Sequence, residues 1–165
     1  MATRPTVHIV DDDAAVRDSL RLLLRLHGYA CIPHASGDLF LDAVEPEQPV
    51  GIVLLDLRMP GRSGTEVQAE LAARGMAWPV ILLTAHGDAA SARATLKAGA
   101  VDFIEKPIDD ELLLAALAQA TALAARSTGS SVEWKNGCTV VSWVVRRIFS
   151  IATRSTCRRM GAGEV

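Results

Sequence analysis

Five polar side chains stand out because each closely follows a short apolar run. Asp11 and Asp12 follow Val7-His-Ile-Val10, and Asp56 closes Gly51-Ile-Val-Leu-Leu-Asp56. Thr84 closes Pro79-Val-Ile-Leu-Leu-Thr84, and Lys106 follows Val101-Asp-Phe-Ile-Glu105. Brought together, three carboxylates repel one another, and keeping all of them ionised requires a compensating cation. An all-oxygen donor set with no neighbouring Cys or His pair selects a hard ion, and few ligands with room for water favour Mg²⁺ over Ca²⁺. With the cluster neutralised, one carboxylate can attack phosphorus and form an acyl phosphate. The metal, the Lys106 ammonium and the Thr84 hydroxyl could each meet one of the oxygens over which a transferring phosphoryl group spreads its charge. Asp56 is the natural nucleophile, since its run is the central one.

The elements that must position these groups read as five β–α units. After Val7–Val10, apolar residues at helical spacing (Val16, Leu20, Leu23, Leu24) predict a helix over 14–26, with Asp13 as its N-cap and Gly28 at its C-terminal end. Tyr29–Pro33 reads as a second strand, and Ser36 as the N-cap of a helix through Val44. The uninterrupted run before Asp56 marks a strand buried on both faces. Ser63-Gly-Thr-Glu66 fits a capping box opening a helix to about Arg74. Residues 79–84 and 101–105 read as strands four and five, 89–98 as a helix between them, and a last helix runs from Asp109 and Asp110 to about Ala125. Alternating strands and helices imply parallel strands with right-handed crossovers. The expected fold is a flavodoxin-like (βα)5 three-layer α/β sandwich around a parallel sheet of order 2-1-3-4-5. In such sheets ligands bind beyond the carboxyl ends of the strands, where these five residues fall.

The 165 residues carry a net charge of −2 and are half apolar, which excludes wholesale disorder. No apolar run is long enough to span a bilayer, no secretory signal is evident, and Cys31, Cys138 and Cys157 form no CxxC pair. A cytoplasmic protein is expected. Residues 1–126 hold 11 Lys and Arg against 17 Asp and Glu, whereas 127–165 hold 6 against 2, with a small polar stretch between them. The expected division is a domain over 5–126 and a linker with a basic tail over 127–165.

The segments Ile9-Val-Asp-Asp12, Leu54-Leu-Asp-Leu-Arg-Met-Pro-Gly61, Leu83-Thr-Ala-His-Gly87 and Ala98-Gly-Ala-Val-Asp-Phe-Ile-Glu-Lys-Pro107 resemble the receiver domain of two-component response regulators. Their wording is most similar to the FixJ-like branch. The resemblance implies that Asp56 accepts a phosphoryl group from a sensor histidine kinase. It implies Mg²⁺ held by Asp12 and Asp56, with Asp11 acting mainly through water and Arg58 lending its backbone carbonyl. It further implies that Thr84 and Lys106 bind phosphoryl oxygens, and that Phe103 is the aromatic side chain that follows Thr84 inward. The output face would be formed by the fourth helix, fifth strand and fifth helix, a common homodimerisation surface. Such a receiver is not an enzyme beyond its self-phosphorylation and slow autodephosphorylation. His86 and Arg58 would flank the site, and His8, His27 and His34 lack metal-ligand spacing and read as structural or exposed.

FixJ-like regulators usually continue into a helix-turn-helix domain, but the 39 residues after Arg126 show no such pattern, so DNA binding is not supported by the sequence. The β-branched run over 139–151 and Trp134, Trp143, Cys138 and Cys157 make a compositional break, which suggests a truncated or out-of-frame remnant of a transcriptional regulator as an alternative. A second alternative is a Mg²⁺-dependent aspartyl phosphatase. That class usually shows Asp-x-Asp at the first strand end and a cap insertion, and neither is evident. A nucleotide-binding protein would want a Gly-rich loop where Asp11-Asp12-Asp13 stands, which would repel phosphate.

Overall fold

The structure, a computed structural model, describes residues 4–85, 96–97 and 99–127. The helix expected over 89–98, His86, and everything expected of the chain beyond Ser127 lie outside the described residues or almost wholly so.

Five strands, β1 (Val7–Val10), β2 (Cys31–His34), β3 (Ile52–Asp56), β4 (Val80–Thr84) and β5 (Asp102–Glu105), form one parallel sheet in the expected order 2-1-3-4-5. Helices α1 (Ala14–Leu26), α2 (Gly37–Ala43), α3 (Gly64–Ala73) and α4 (Asp110–Ser127) cover it. Side chains alternate across a strand, so β3 sends Ile52 and Leu54 to one face and Val53 and Leu55 to the other. On the first face they meet Leu20 and Leu24 of α1 and Leu113 and Leu117 of α4. On the second they meet Phe40 of α2 and Val67 and Leu71 of α3. Every residue of β3 and β4 is buried, which is why both read as unbroken apolar runs. Each such Leu, Ile or Val contributes about 1.5–3 kcal/mol by leaving water.

The helix starts follow their expected chemistry. The Asp13 side chain accepts from the Ala15 N–H at 2.8 Å, and Ser36 caps α2 by accepting from Leu39 N–H. Ser63 and Glu66 form the reciprocal capping box of α3. Gly28, just past α1, sits at φ +78°, a conformation that side chains with a Cβ rarely adopt. The second strand begins two residues later than the sequence suggests. Tyr29 N–H still bonds to Leu24 O, closing the end of α1, and only from Cys31 does the chain pair with β1.

That pairing creates a feature the sequence reading left open. His8 and His34 are both buried, and their rings stack with centroids 5.3 Å apart and His8 Nδ1 3.1 Å from His34 Nε2. Phe40 and Trp78 pack against His8, and Phe40 also packs edge-on against His34. His27, by contrast, is exposed at the end of α1, with Nδ1 2.9 Å from Leu23 O.

Candidate functional site

Register brings the site together. Val10 lies opposite Leu55, so Asp11 emerges level with Asp56; Asp56 lies opposite Leu83, and Thr84 opposite Glu105. Leu83 lies opposite Ile104, so Thr84 stands one residue, and Lys106 two, beyond the row that holds Asp56, Leu83 and Ile104. Parallel strands of nearly equal length end together, and the polar residues that terminate them share one rim.

Carboxylate oxygens of Asp11, Asp12 and Asp56 all lie within 4.8 Å of one another. Asp11 and Asp56 are buried, and Asp12 is exposed at the mouth. Lys106 Nζ reaches over both buried acids, 2.8 Å from Asp11 Oδ2 and 3.2 Å from Asp56 Oδ1. The Lys106 N–H also bonds to Thr84 O at 2.7 Å, which ties the loop after β5 to the end of β4. The Lys106–Pro107 peptide is cis. Thr84 is buried, 1% exposed.

Burial pushes the Asp56 carboxyl above its ordinary range; the Lys106 charge pulls it back, and Asp11 and Asp12 push it up again. Burial acts to lower the Lys106 ammonium, but its hydrogen bond to Asp11 and the charges of Asp56 and Asp11 outweigh this and hold it above its usual value. Among the described residues the Lys106 ammonium bridges two of three clustered carboxylates, and carboxylates this close to one another favour a further bound cation. Its donors are carboxylate oxygens only, which suits a hard divalent cation. The pocket could bind a metal ion.

Arg58 is exposed in the loop after β3, two residues beyond Asp56. Phe103 is half-buried, packs with the apolar cluster on the α2/α3 face, and lies opposite Leu82. Since Thr84 lies opposite Glu105, Phe103 and Thr84 are diagonal neighbours on the same face of the sheet.

Two contributors escaped the sequence reading. Gly64, noted only as part of a capping box, opens α3 directly over β3: a Cβ there would lie 2.5 Å from Asp56 O and 3.0 Å from Leu57 Cα. Gly64 N–H also bonds to Leu57 O at 3.1 Å. Arg17, on α1, donates through Nη1 to the Asp11 backbone oxygen at 2.6 Å. A glycine at the first position of the capped helix was the available signal for the first; nothing in the spacing marked the second.

A doubly wound parallel sheet with an acidic crevice and a lysine at its carboxyl rim defines a class of receiver-like α/β proteins. Residues 7–118 match the family model described as "Response regulator receiver domain". The chain belongs to that family. It is 49% identical over 111 residues to the transcriptional regulatory protein FixJ of Azorhizobium caulinodans, covering 67% of this chain and 52% of that protein. It is 44% identical over 116 residues to FixJ of Rhizobium meliloti, covering 70% and 56%. The crystal structure of FixJ-N superposes with a TM-score of 0.68 at 42% identity, covering 73% of this chain and 96% of that one. The chain thus spans about half the length of the curated relatives it matches. These likenesses bear out the FixJ-like receiver reading and its fold, and they do not favour the alternatives of a phosphatase or a regulator remnant. Among the described residues no helix is long and apolar enough to cross a membrane.

Proposed function

We propose that this chain is the phosphoacceptor module of a two-component pathway, with its receiver domain over 5–126 and a linker and basic tail over 127–165. Asp56 accepts a phosphoryl group from a sensor histidine kinase. One Asp56 oxygen forms a bond to phosphorus as the bond from phosphorus to the donor imidazole nitrogen breaks, and the imidazole leaves with that electron pair. Asp12 and Asp56 would hold Mg²⁺, with Asp11 acting through water and Arg58 lending its backbone carbonyl, as the family resemblance implies. When bound, the ion offsets carboxylate charge and stabilises charge on the transferring group. Lys106 exchanges part of its contact with Asp56 for a phosphoryl oxygen, and Thr84 donates its hydroxyl to another. The observation that carries this reading is the Lys106 ammonium bridging two buried acids, 2.8 and 3.2 Å away, beside a third carboxylate.

Phosphorylation adds about −1.5 to −2 of charge to the crevice. Thr84 moves toward it, and Phe103, its diagonal neighbour, turns into the vacated space, which biases the face expected of the fourth helix in the sequence reading, together with β5 and α4, toward homodimerisation. The module works in the cytoplasm as a signalling element, with turnover limited to slow autodephosphorylation. Incubation with acetyl phosphate and Mg²⁺, followed by intact mass, tests the reading. An adduct of about 80 Da, labile to alkali and lost in Asp56→Asn, is expected. Rapid multi-turnover phosphate release, or an adduct that persists in Asp56→Asn, overturns it.

A further inference from the structure

Asp11 is bonded on all sides. Its N–H bonds to His34 O at the end of β2 at 3.3 Å, and its Oδ1 accepts from Asp13 N–H at 2.9 Å. Its Oδ2 accepts from Lys106 at 2.8 Å, and its carbonyl oxygen accepts from Arg17 Nη1 at 2.6 Å. The last bond differs in kind. The bonds at N–H and Oδ2 fix the Asp11 residue itself, and the bond from Asp13 N–H closes a turn around Asp12 on its C-terminal side, whereas the carbonyl belongs to the peptide plane that leads into Asp12. Asp12 is exposed, and its carboxylate still lies within 4.8 Å of ligand atoms of Asp11 and Asp56, so the peptide planes on either side of it set where that carboxylate points. Arg17 is half-buried one turn into α1, and its own N–H bonds to Asp13 O at 3.1 Å, so the guanidinium projects from a helix already capped onto the same turn. A planar guanidinium anchored on a capped helix fixes a carbonyl direction better than a flexible ammonium does.

We propose that Arg17 is a positioning residue for the metal site: by holding the Asp11 carbonyl it orients the Asp11–Asp12 peptide and so presents the Asp12 carboxylate to the cation. This rests on the reading of the crevice as a Mg²⁺ site. Arg17 also carries a positive charge near an acidic cluster, and simple electrostatics gives it the opposite effect. As a mere charge it repels Mg²⁺, and its removal tightens binding. As a positioning group it aids Mg²⁺, and its removal weakens binding. The sign of the change therefore separates the two roles. Outer-shell partners of metal ligands are typically worth 10–100-fold in affinity.

The test measures divalent-cation affinity without a phosphodonor, by calorimetric titration with Mg²⁺ and by Mn²⁺ electron paramagnetic resonance. It uses the full chain as wild type, Arg17→Met, Arg17→Gln and Arg17→Lys, each first shown folded by circular dichroism. Arg17→Met weakens Mg²⁺ binding about tenfold, Arg17→Gln does likewise because its amide is too short to reach the carbonyl, and Arg17→Lys recovers part of the loss. Should Arg17→Met fail to fold, Arg17→Gln takes its place. The rate of labelling by acetyl phosphate falls at limiting Mg²⁺ and recovers at saturating Mg²⁺, a split that a loss of folded protein does not produce. Unchanged or tighter Mg²⁺ binding in the neutral variants, with wild-type binding intact, overturns the role of Arg17 alone. A wild-type protein that binds neither ion overturns both this role and the metal-site reading.

Discussion

The stacked pair of His8 and His34 makes stability depend on pH, and the size of the effect follows from its burial. Burial, and secondarily the neighbouring His34, lower His8 from 6.5 to about 4, and burial lowers His34 as well. Both folded values lie below the unfolded one. The contribution is therefore complete above about pH 6.5. It is lost as pH falls toward 4, because the unfolded chain takes up protons that the native pair refuses. Each pH unit in that window costs about 1.4 kcal/mol for one imidazole, so between pH 6.5 and 5.0 His8 alone costs about 2 kcal/mol. That is a sizeable share of the ~5–15 kcal/mol typical of a small domain. Lys106 does not intrude, because its raised pKa keeps its contribution constant until alkaline pH. Asp56, raised in the fold, acts in the opposite direction, gaining stability as pH falls, and is present in both proteins compared. Urea unfolding followed by far-ultraviolet circular dichroism at pH 7.5, 6.5, 5.5 and 5.0 should be run on wild type and His8→Phe, which keeps a ring beside Phe40 and Trp78. The wild type is expected to lose about 2 kcal/mol more than the variant on going from pH 7.5 to 5.0. Parallel curves for the two proteins would falsify the assignment of the pH dependence to the buried pair.

Other perturbations read out the site. Gly64→Ala drives a methyl group into the Asp56 carbonyl and the Leu57 Cα, backbone that cannot turn aside; it is expected to cost about 2–3 kcal/mol in urea unfolding and to slow labelling of Asp56. Gly75→Ala meets nothing within 4 Å and is strained only by its φ of +73°; it should cost about 1 kcal/mol and leave labelling unchanged. Lys106→Met leaves Asp11 and Asp56 without their ammonium, so stability at pH 7 falls while Mg²⁺ binds several-fold more tightly, and acetyl phosphate labelling is lost. Asp56→Asn removes a carboxyl that burial and the neighbouring acids, against the pull of Lys106, keep above its usual pKa, so the melting temperature in metal-free buffer should rise as Mg²⁺ affinity falls.

The rim of the site was legible because β3 and β4 are buried on both faces. Ile52–Leu55 and Val80–Leu83 could hold only apolar residues, so the first polar residue after each run marked a strand end. Parallel register then placed Asp56 and Thr84 without further information. Local capping was legible for the same kind of reason: Ser63, Glu66 and Asp13 act within three residues of themselves. Relations set by the packing of distant elements were not legible. The histidine pair needs β1 beside β2, Phe40 from α2 and Trp78 from the approach to β4, and no spacing in the chain encodes that meeting. The bond from Arg17 to Asp11 depends on how α1 leaves its strand, and the contact of Gly64 with Asp56 depends on how tightly α3 closes over β3. The late start of β2 reflects competition: Tyr29 satisfies its N–H on α1 before the chain is free to join the sheet.

The bond between Lys106 and Asp11 joins residues 95 positions apart in the chain. During synthesis Asp56 leaves the ribosome well before Lys106 does, and a nascent chain that ends inside β4 carries the acceptor without its ammonium. Such a chain holds three acids without the ammonium that bridges two of them, and their repulsion opposes early closure of the sheet. On the proposed reading of the crevice, competence to take up phosphate therefore arrives only after the fifth strand has been made.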